Sequence, residues 1–466
     1  MEGQITSYNL KDNQVAILTT FYQVDPAYSL CNVVEDQIKM FVMHGYKIKL
    51  LVDKGLDEST LRGIWKHPNV TLCKFRDVSR SNEGILPMDW QDQANSLYEE
   101  LKEILKDSKI VIAHDIILQP AHIIHNIAAR RLAHERIDLK WLHWCHSATA
   151  PQVRCSDPVA SEAIKEKFPH SVACYPNAWD RKRVAQSYGY EMDEVKIVPH
   201  PSDFAELMFG KEIDFSEYLS LSEEEKSKLD KEINYPIKLS KDLVNEFDLL
   251  SADVIAAYPC RLDRGKQPEF LIKTMGAMKK LGRDVRCILF DFHSTGGDKV
   301  VFRQELEKIA IEWGLTPHEM IFISQWREDT NLSVPREVVQ NIKKISDYHM
   351  HPSTSETYSL VVQESMIWRN FVILNHHFPA MRDIYGSENV IHEEFGSAVN
   401  ALTAEAGATN ISIYNEEEHF ENLAKKVLYW IEKGNPVLAQ WRFIRKTKSL
   451  KYVFRMQLEP LLFGIK

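Results

Sequence analysis

Twice along this chain, short apolar runs of strand length alternate with segments whose apolar residues recur at helical spacing, and this alternation limits the possible folds most sharply. The first series opens with Gln14 to Thr20 (QVAILTT), passes through Val33 to Met43 at helical spacing, and returns to a strand-like run at Lys47 to Asp53. Strand, helix, strand predicts a parallel crossover, because parallel strands cannot be joined by a tight turn. The series continues with a helix over Gln91 to Lys106, a strand over Lys109 to Asp115 and a helix over Ala121 to Glu135. Strands over Leu139 to His146 and Glu194 to Pro199 complete it.

From Gly210 to Ser240 the alternation gives way to charge, and Ser222 followed by three glutamates marks a capped, solvated helix. The second series has strands over Asp253 to Cys260, Val285 to Phe292, Met320 to Ser324, Tyr348 to Ser353 and Phe371 to Asn375. Helices over Pro268 to Leu281, Asp298 to Trp313, Pro335 to Ile345 and Leu360 to Trp368 lie between them. Two Rossmann-like, doubly wound α/β domains are expected, a size that 466 residues suits. The expected division is 1–205 for the first domain, 206–250 for a charged insertion or linker, 251–435 for the second domain and 436–466 for closing helices.

Hydrophobic residues at 44% and charged residues at 26% are ordinary for a soluble globular protein and favour neither a disordered nor a membrane-spanning class. The polar start MEGQITSYNLKDNQ lacks a basic end followed by an apolar run, so a cytoplasmic protein is expected. Seven cysteines without CxxC spacing read as reduced, buried thiols. A net charge of -9 disfavours a surface coated for nucleic acid, although a local basic patch can coexist with it.

Ligands of open parallel sheets collect at the carboxyl ends of strands, so two such domains facing each other would bring their functional loops into one cleft. After the strand ending at Cys260 comes Arg261-Leu-Asp-Arg-Gly-Lys266, cations just ahead of a helix, which suits a diphosphate. Taken alone, the cluster is equally a solvated turn. After the strand ending at Ser353, Glu356 lies in a loop and Glu364 on the following helix. Tyr358, Ser359 and Leu360 open that helix with amides able to hold phosphate oxygens, Ser359 being a possible cap. Two surface glutamates at this spacing also arise by chance.

Taken together, Cys260 to Gln267 and His351 to Glu364 resemble the donor-site signature of retaining glycosyltransferases of the GT-B fold, family-four type. The resemblance implies that Arg261 and Lys266 bind the donor diphosphate, Glu364 the ribose, and Glu356 the hydroxyls of the transferred sugar. Amides around Tyr358 to Leu360 would assist the phosphates, and Trp326 in Ser324-Gln-Trp would meet the base or simply pack at a core edge. It also implies a nucleotide-sugar co-substrate, UDP- or GDP-linked, with no other cofactor and no metal. The closing helices would cross back onto the first domain.

In the first half, Val195 to Phe204 resembles the family's hinge-side strand and loop, and Leu142-His-Trp-Cys-His146 the strand that offers a histidine to the cleft. His146 is therefore the second catalytic candidate beside Glu356, able to bind the donor phosphate or sugar or to position the acceptor, whereas His143 reads as packed. His114 and Asp115, ending another strand, are candidates for acceptor-side contacts. The first loop, Phe21 to Leu30, departs from the family in lacking a glycine pair, so its backbone approaches a phosphate less freely. Tyr22, Asp25 or Tyr28 would then serve the acceptor.

Metal ligation finds little support: His122 and His125, or His376 and His377, lack partners at ligand spacing, and no Asp-x-Asp occurs. Gly296-Gly297 is not followed by the Gly-Lys-Ser/Thr of a phosphate loop. Near the end, Arg442, Arg445, Lys446, Lys448, Lys451 and Arg455 interleave with Trp441, Phe443, Tyr452 and Phe454. Packing of the aromatic stems with exposed charges is the plainer reading, and an anionic lipid or nucleic-acid surface the other. Sugar transfer to a sugar, lipid or small molecule is thus expected, with a hydroxylated DNA base as an alternative acceptor. A non-catalytic nucleotide-sugar-binding protein is the alternative of a different class.

Overall fold

A computed structural model of the chain describes residues 14–25, 28–210, 221–291, 299–354, 356–387, 390–396 and 415–435, with the single positions 219 and 438. The chain divides into two compact units, Met1–Ser202 and Asp203–Lys466. Each unit is built on one wholly parallel sheet, in agreement with the fold class read from the sequence.

The first unit contains β1 (Gln14–Leu18), β2 (Lys47–Asp53), β3 (Val70–Phe75), β4 (Ile110–His114), β5 (Lys140–Trp144), β6 (Ser171–Tyr175) and β7 (Val195–Ile197). They lie in the order β3-β2-β1-β4-β5-β6-β7. Strict alternation divides the core. Ala16 and Leu18 face one layer with Val111 and Ala113, while Val15 and Ile17 face the other with Leu50, Val52 and Ile112. Strands β3 and β6 were not anticipated. β3 is a sheet edge with mostly half-exposed side chains, and β6 is built of small residues, so neither carries a long apolar run.

The second unit contains β8 (Val254–Pro259), β9 (Val285–Phe290), β10 (Met320–Phe322), β11 (Tyr348–His351), β12 (Phe371–Asn375) and β13 (Ile391–Glu393). Their order is β10-β9-β8-β11-β12-β13. In both sheets the chain winds one way from the first strand and the other way from the fourth, so the topological switch points lie at β1/β4 and β8/β11. The strand expected to reach Ser324 stops at Phe322, and Ile323–Trp326 forms a single helical turn.

The charged stretch after Gly210 contains a helix over Glu223–Glu246. Ser222 and Glu225 form a reciprocal capping box at its start. Its later turns are apolar on one face, and Leu239 and Leu243 enter the core of the second unit beside Ile255, Ala257, Val338 and Ile342. The closing helices expected over 436–466, apart from position 438, the basic residues from Arg442 to Arg455, and Gly296-Gly297 lie outside the described residues.

Gly276 sits inside the helix Pro268–Lys280, where a β-carbon would stand 2.6 Å from Trp313 Cβ and 2.7 Å from the Trp313 carbonyl oxygen. Alanine improves helix propensity by about 1 kcal/mol, but a contact with backbone cannot be relieved by a rotamer change, and overpacking costs roughly 1–3 kcal/mol. Gly276→Ala is therefore expected to lower the thermal midpoint of the protein, and an unchanged or raised midpoint would contradict this packing.

Candidate functional site

At the switch point of the second sheet, the loops that leave β8 and β11 are stitched together. The Thr354 N–H donates to the Gly265 carbonyl at 2.8 Å, and the Tyr258 hydroxyl donates to the Lys266 carbonyl at 3.0 Å. Gln267, buried and in the left-handed region at φ 50°, gives its side-chain amide to the carbonyls of Pro352 at 2.6 Å and Phe395 at 2.8 Å. A left-handed non-glycine costs on the order of 1 kcal/mol, which two buried hydrogen bonds offset. Pro268 then starts the next helix at a position where its missing N–H costs nothing.

That stitching delivers Lys266 to Glu356. The Lys266 ammonium and the Glu356 carboxylate form an ion pair with both side chains mostly buried, and His351 Nε2 lies 3.1 Å from the same carboxylate oxygen. Burial pushes the Glu356 acid up, yet Lys266 and His351 outweigh it and hold the group well below the usual carboxylate range. His351 is itself lowered by burial, more than the neighbouring glutamate raises it.

Glu364, on the helix Leu360–Ile367, is ion-paired to Arg336. Arg261 is largely exposed and 3.1 Å from Asp263, while Arg264 pairs with Glu305 at 2.9 Å and lies over the Phe302 ring. Ser359 occupies the N-cap position of this helix at φ 61°, but its hydroxyl makes no capping hydrogen bond. The Tyr385 hydroxyl holds the turn instead, donating to the carbonyls of Tyr358 at 2.9 Å and Ser359 at 2.8 Å. First-turn amides at Leu360 are thus not capped by Ser359. Trp326 is half-buried, and its indole donates to Glu246 at 2.9 Å, which ties it to the helix Glu223–Glu246.

Within the first unit, His114 and His146 come together at the ends of β4 and β5, their ring nitrogens 3.1 Å apart. Asp115 follows at φ 63°, hydrogen-bonded to Tyr28. Tyr22 is not part of that group: its hydroxyl donates to Asp77 at 2.9 Å, and Arg80 stacks on its ring while pairing with the buried Asp53. Asp25 sits half-buried in the loop after β1, where its carbonyl accepts from the Tyr28 N–H at 2.9 Å. His143 is buried against Trp141 and Phe168, as its strand position implied.

His351, Gln267, Arg336, Gln37 and His200 were not singled out from the sequence. His351 and Gln267 did carry a signal, since each stands at an end of one of the two segments, Cys260 to Gln267 and His351 to Glu364, that resemble the donor-site signature. No helix of the described residues is long and apolar enough to cross a membrane.

Burial pushes the Asp115 carboxyl from 3.8 up to about 6, so the folded chain holds this proton more tightly than the unfolded one. The resulting stabilisation is complete below about pH 4 and is lost as pH rises through about 6. Asparagine also tolerates the left-handed backbone. Asp115→Asn is expected to stabilise the protein on the order of 2 kcal/mol at pH 7, with the gain vanishing at pH 3.5. Thermal midpoints at the two pH values check this, and a gain of equal size at both would contradict it.

Comparison of the sequence with models of protein families found no match, and comparison with curated proteins found none either. Solved structures do match along nearly the whole chain. A glycosyltransferase from Rickettsia africae is similar with a TM-score of 0.56 at 14% identity, covering 97% of this chain and 98% of its own. A sucrose-phosphate synthase from Thermosynechococcus elongatus gives 0.54 at 12% identity, covering 97% of each chain. HepE from Anabaena, in complex with UDP-glucose, gives 0.53 at 13% identity, covering 97% of this chain and 100% of its own. Together with the two parallel sheets, these likenesses establish that the chain has the GT-B fold.

Proposed function

We propose that this protein is a glycosyltransferase that moves a sugar, hexose or pentose, from a nucleotide-diphosphate-sugar to an acceptor hydroxyl, with retention and without a metal, as family-four enzymes do. The observation that carries the reading is the Lys266–Glu356–His351 group at the β8/β11 switch point. It sets a cation and an anion at the strand ends where this fold class takes its ligand. HepE, similar in fold, was solved with UDP-glucose, which favours a donor of that chemical class.

In this reading Arg261 and Lys266 receive the diphosphate, with the first amides of the helix at Tyr358, Ser359 and Leu360. As the glycosidic bond breaks, negative charge grows on the leaving phosphate, and cations already in place stabilise it without reorganising. Lys266 need not be recruited, because Glu356 already holds it. Glu356 remains a carboxylate and accepts hydrogen bonds from hydroxyls of the transferred sugar near the anomeric carbon, which makes it a positioning and electrostatic group. Glu364, oriented by Arg336, receives the ribose hydroxyls. Trp326 would border the base. Front-side attack by the acceptor hydroxyl, whose proton passes to the departing phosphate oxygen, gives retention with no covalent intermediate; His146 is the second catalytic candidate, and His114, Asp115, Tyr22 and Asp25 belong to the acceptor side.

Two measurements test this. A screen of UDP- and GDP-sugars by thermal shift should find one that stabilises the folded protein, by about 2.7 kcal/mol at a hundredfold excess over its Kd. Lys266→Ala or Arg261→Ala should lower the transfer rate at least about a hundredfold with that donor. Near-normal turnover in either variant would sink the assignment.

A further inference from the structure

Two consecutive arginines on one face of the first unit have no carboxylate partner among the described residues. Arg130 and Arg131 lie on the helix Ile123–Glu135, which follows β4. Arg130 Nε donates to the Asn126 side-chain carbonyl at 2.7 Å, Nη2 reaches the Ile164 carbonyl only at 3.4 Å, and the guanidinium carbon stands 5.2 Å from the centre of the Phe168 ring. Arg131 donates from Nη1 to the Asn95 side-chain carbonyl and lies 4.0 Å over the Tyr98 ring. The carboxylates nearest along the chain are taken by other cations: Glu135 pairs with Lys102 at 2.6 Å, and Asp138 with Arg136 at 2.7 Å.

Neutral carboxamides and ring faces hold the two guanidiniums in place without neutralising them. Arg130 is half-buried, and burial lowers its pKa to about 10, so it is still a cation at neutral pH. Its Nη1 makes no hydrogen bond among the described residues. A partly desolvated charge is costly until an opposite charge meets it, and the planar fork of an arginine matches the oxygens of a phosphate.

Both arginines line one groove of about 380 Å³, between their helix and the segment 162–167. That volume lies in the range of small-molecule sites, roughly 300–1,000 Å³. Lys165 and Lys167 add cations to its lining, and Glu162 and Glu166 add carboxylates. Glu162 stands 3.4 Å from Lys165, and Glu194, outside the groove, takes Lys167 at 2.7 Å. Glu166 is then the one lining carboxylate left to face two arginines, so the groove is positive on a chain whose net charge is -9. A phosphate monoester carries close to two negative charges at neutral pH and offers three acceptor oxygens, whereas a carboxylate carries one charge and two oxygens.

We propose that this groove is a binding site for a phosphate-bearing small molecule, held by the guanidiniums of Arg130 and Arg131 with Lys165 at the rim. None of these residues is among those assigned to the donor or the acceptor, so the inference does not rest on the glycosyl-transfer reading.

The test is calorimetric titration of the full-length protein with inorganic phosphate. Wild type should bind it saturably, and the affinity should fall as sodium chloride is added, because the charges are partly exposed. Lys266→Ala, which removes a cation of the proposed donor site, should leave this binding in place. Arg130→Met should weaken it at least about tenfold, the loss expected for charge-assisted hydrogen bonds. If Arg130→Met does not fold, the exposed positions serve: Arg131→Met and Lys165→Glu should each weaken binding several-fold. Acetate at matched ionic strength should bind at least about tenfold more weakly than phosphate. The proposal is overturned by a dissociation constant for phosphate above about 10 mM, by groove variants that bind as wild type does, by loss of binding in Lys266→Ala, or by acetate binding as tightly as phosphate. Failure of every nucleotide sugar to stabilise the protein would sink the donor reading and leave this titration unchanged.

Discussion

The junction between the β8 and β11 loops is the constraint on which the candidate donor site depends. Parallel pairing sets the two strands side by side, and the amide of Gln267, bonded to the Pro352 and Phe395 carbonyls, with the Thr354–Gly265 and Tyr258–Lys266 bonds, holds the loops beyond them in one arrangement. Without that arrangement Lys266 and Glu356 would be two solvated charges. With it, they are a mostly buried pair whose desolvation is offset by each other and by His351. The site is preorganised in its electrostatics before any ligand arrives, a condition that transition-state stabilisation by fixed charges requires.

The two units use the same topology with different chemistry at the switch point. The second sheet presents cations, a carboxylate and the uncapped start of a helix. The first presents neutral imidazoles and a carboxyl with a raised pKa at Asp115. Charged groups suit a ligand that carries charge, and neutral imidazoles suit one that does not.

Much of this was legible in the residues themselves. Strand positions came from short apolar runs, and the placement of Arg261, Lys266, Glu356 and Glu364 after two of those runs marked a strand-end site. The capped helix beginning at Ser222 was also legible, because a capping box is local: its members stand three residues apart. Strands β3 and β6 escaped notice because edge exposure and small side chains weaken the alternation that identifies a strand. Trp326 could be placed only as a base contact or a core-edge residue, and its hydrogen bond to Glu246, 80 residues away, is information that no local pattern holds.

What the sequence by itself determined is the class of fold and the chemistry available at strand ends, since alternation, caps and loop residues act over a few positions along the chain. The order of strands, and with it the partners of each side chain, was decided only in three dimensions. Lys266 and Glu356 are 90 residues apart, Gln267 and the Phe395 carbonyl 128, and Gln37 and His114 77. Hydrogen-bond direction, ion pairing and burial act over ångströms in space, so they follow from which strands become neighbours. For that reason the sequence could nominate His146 and Glu356, but only the folded chain could say that Glu356 answers to Lys266 and His351, and His146 to Gln37 through His114.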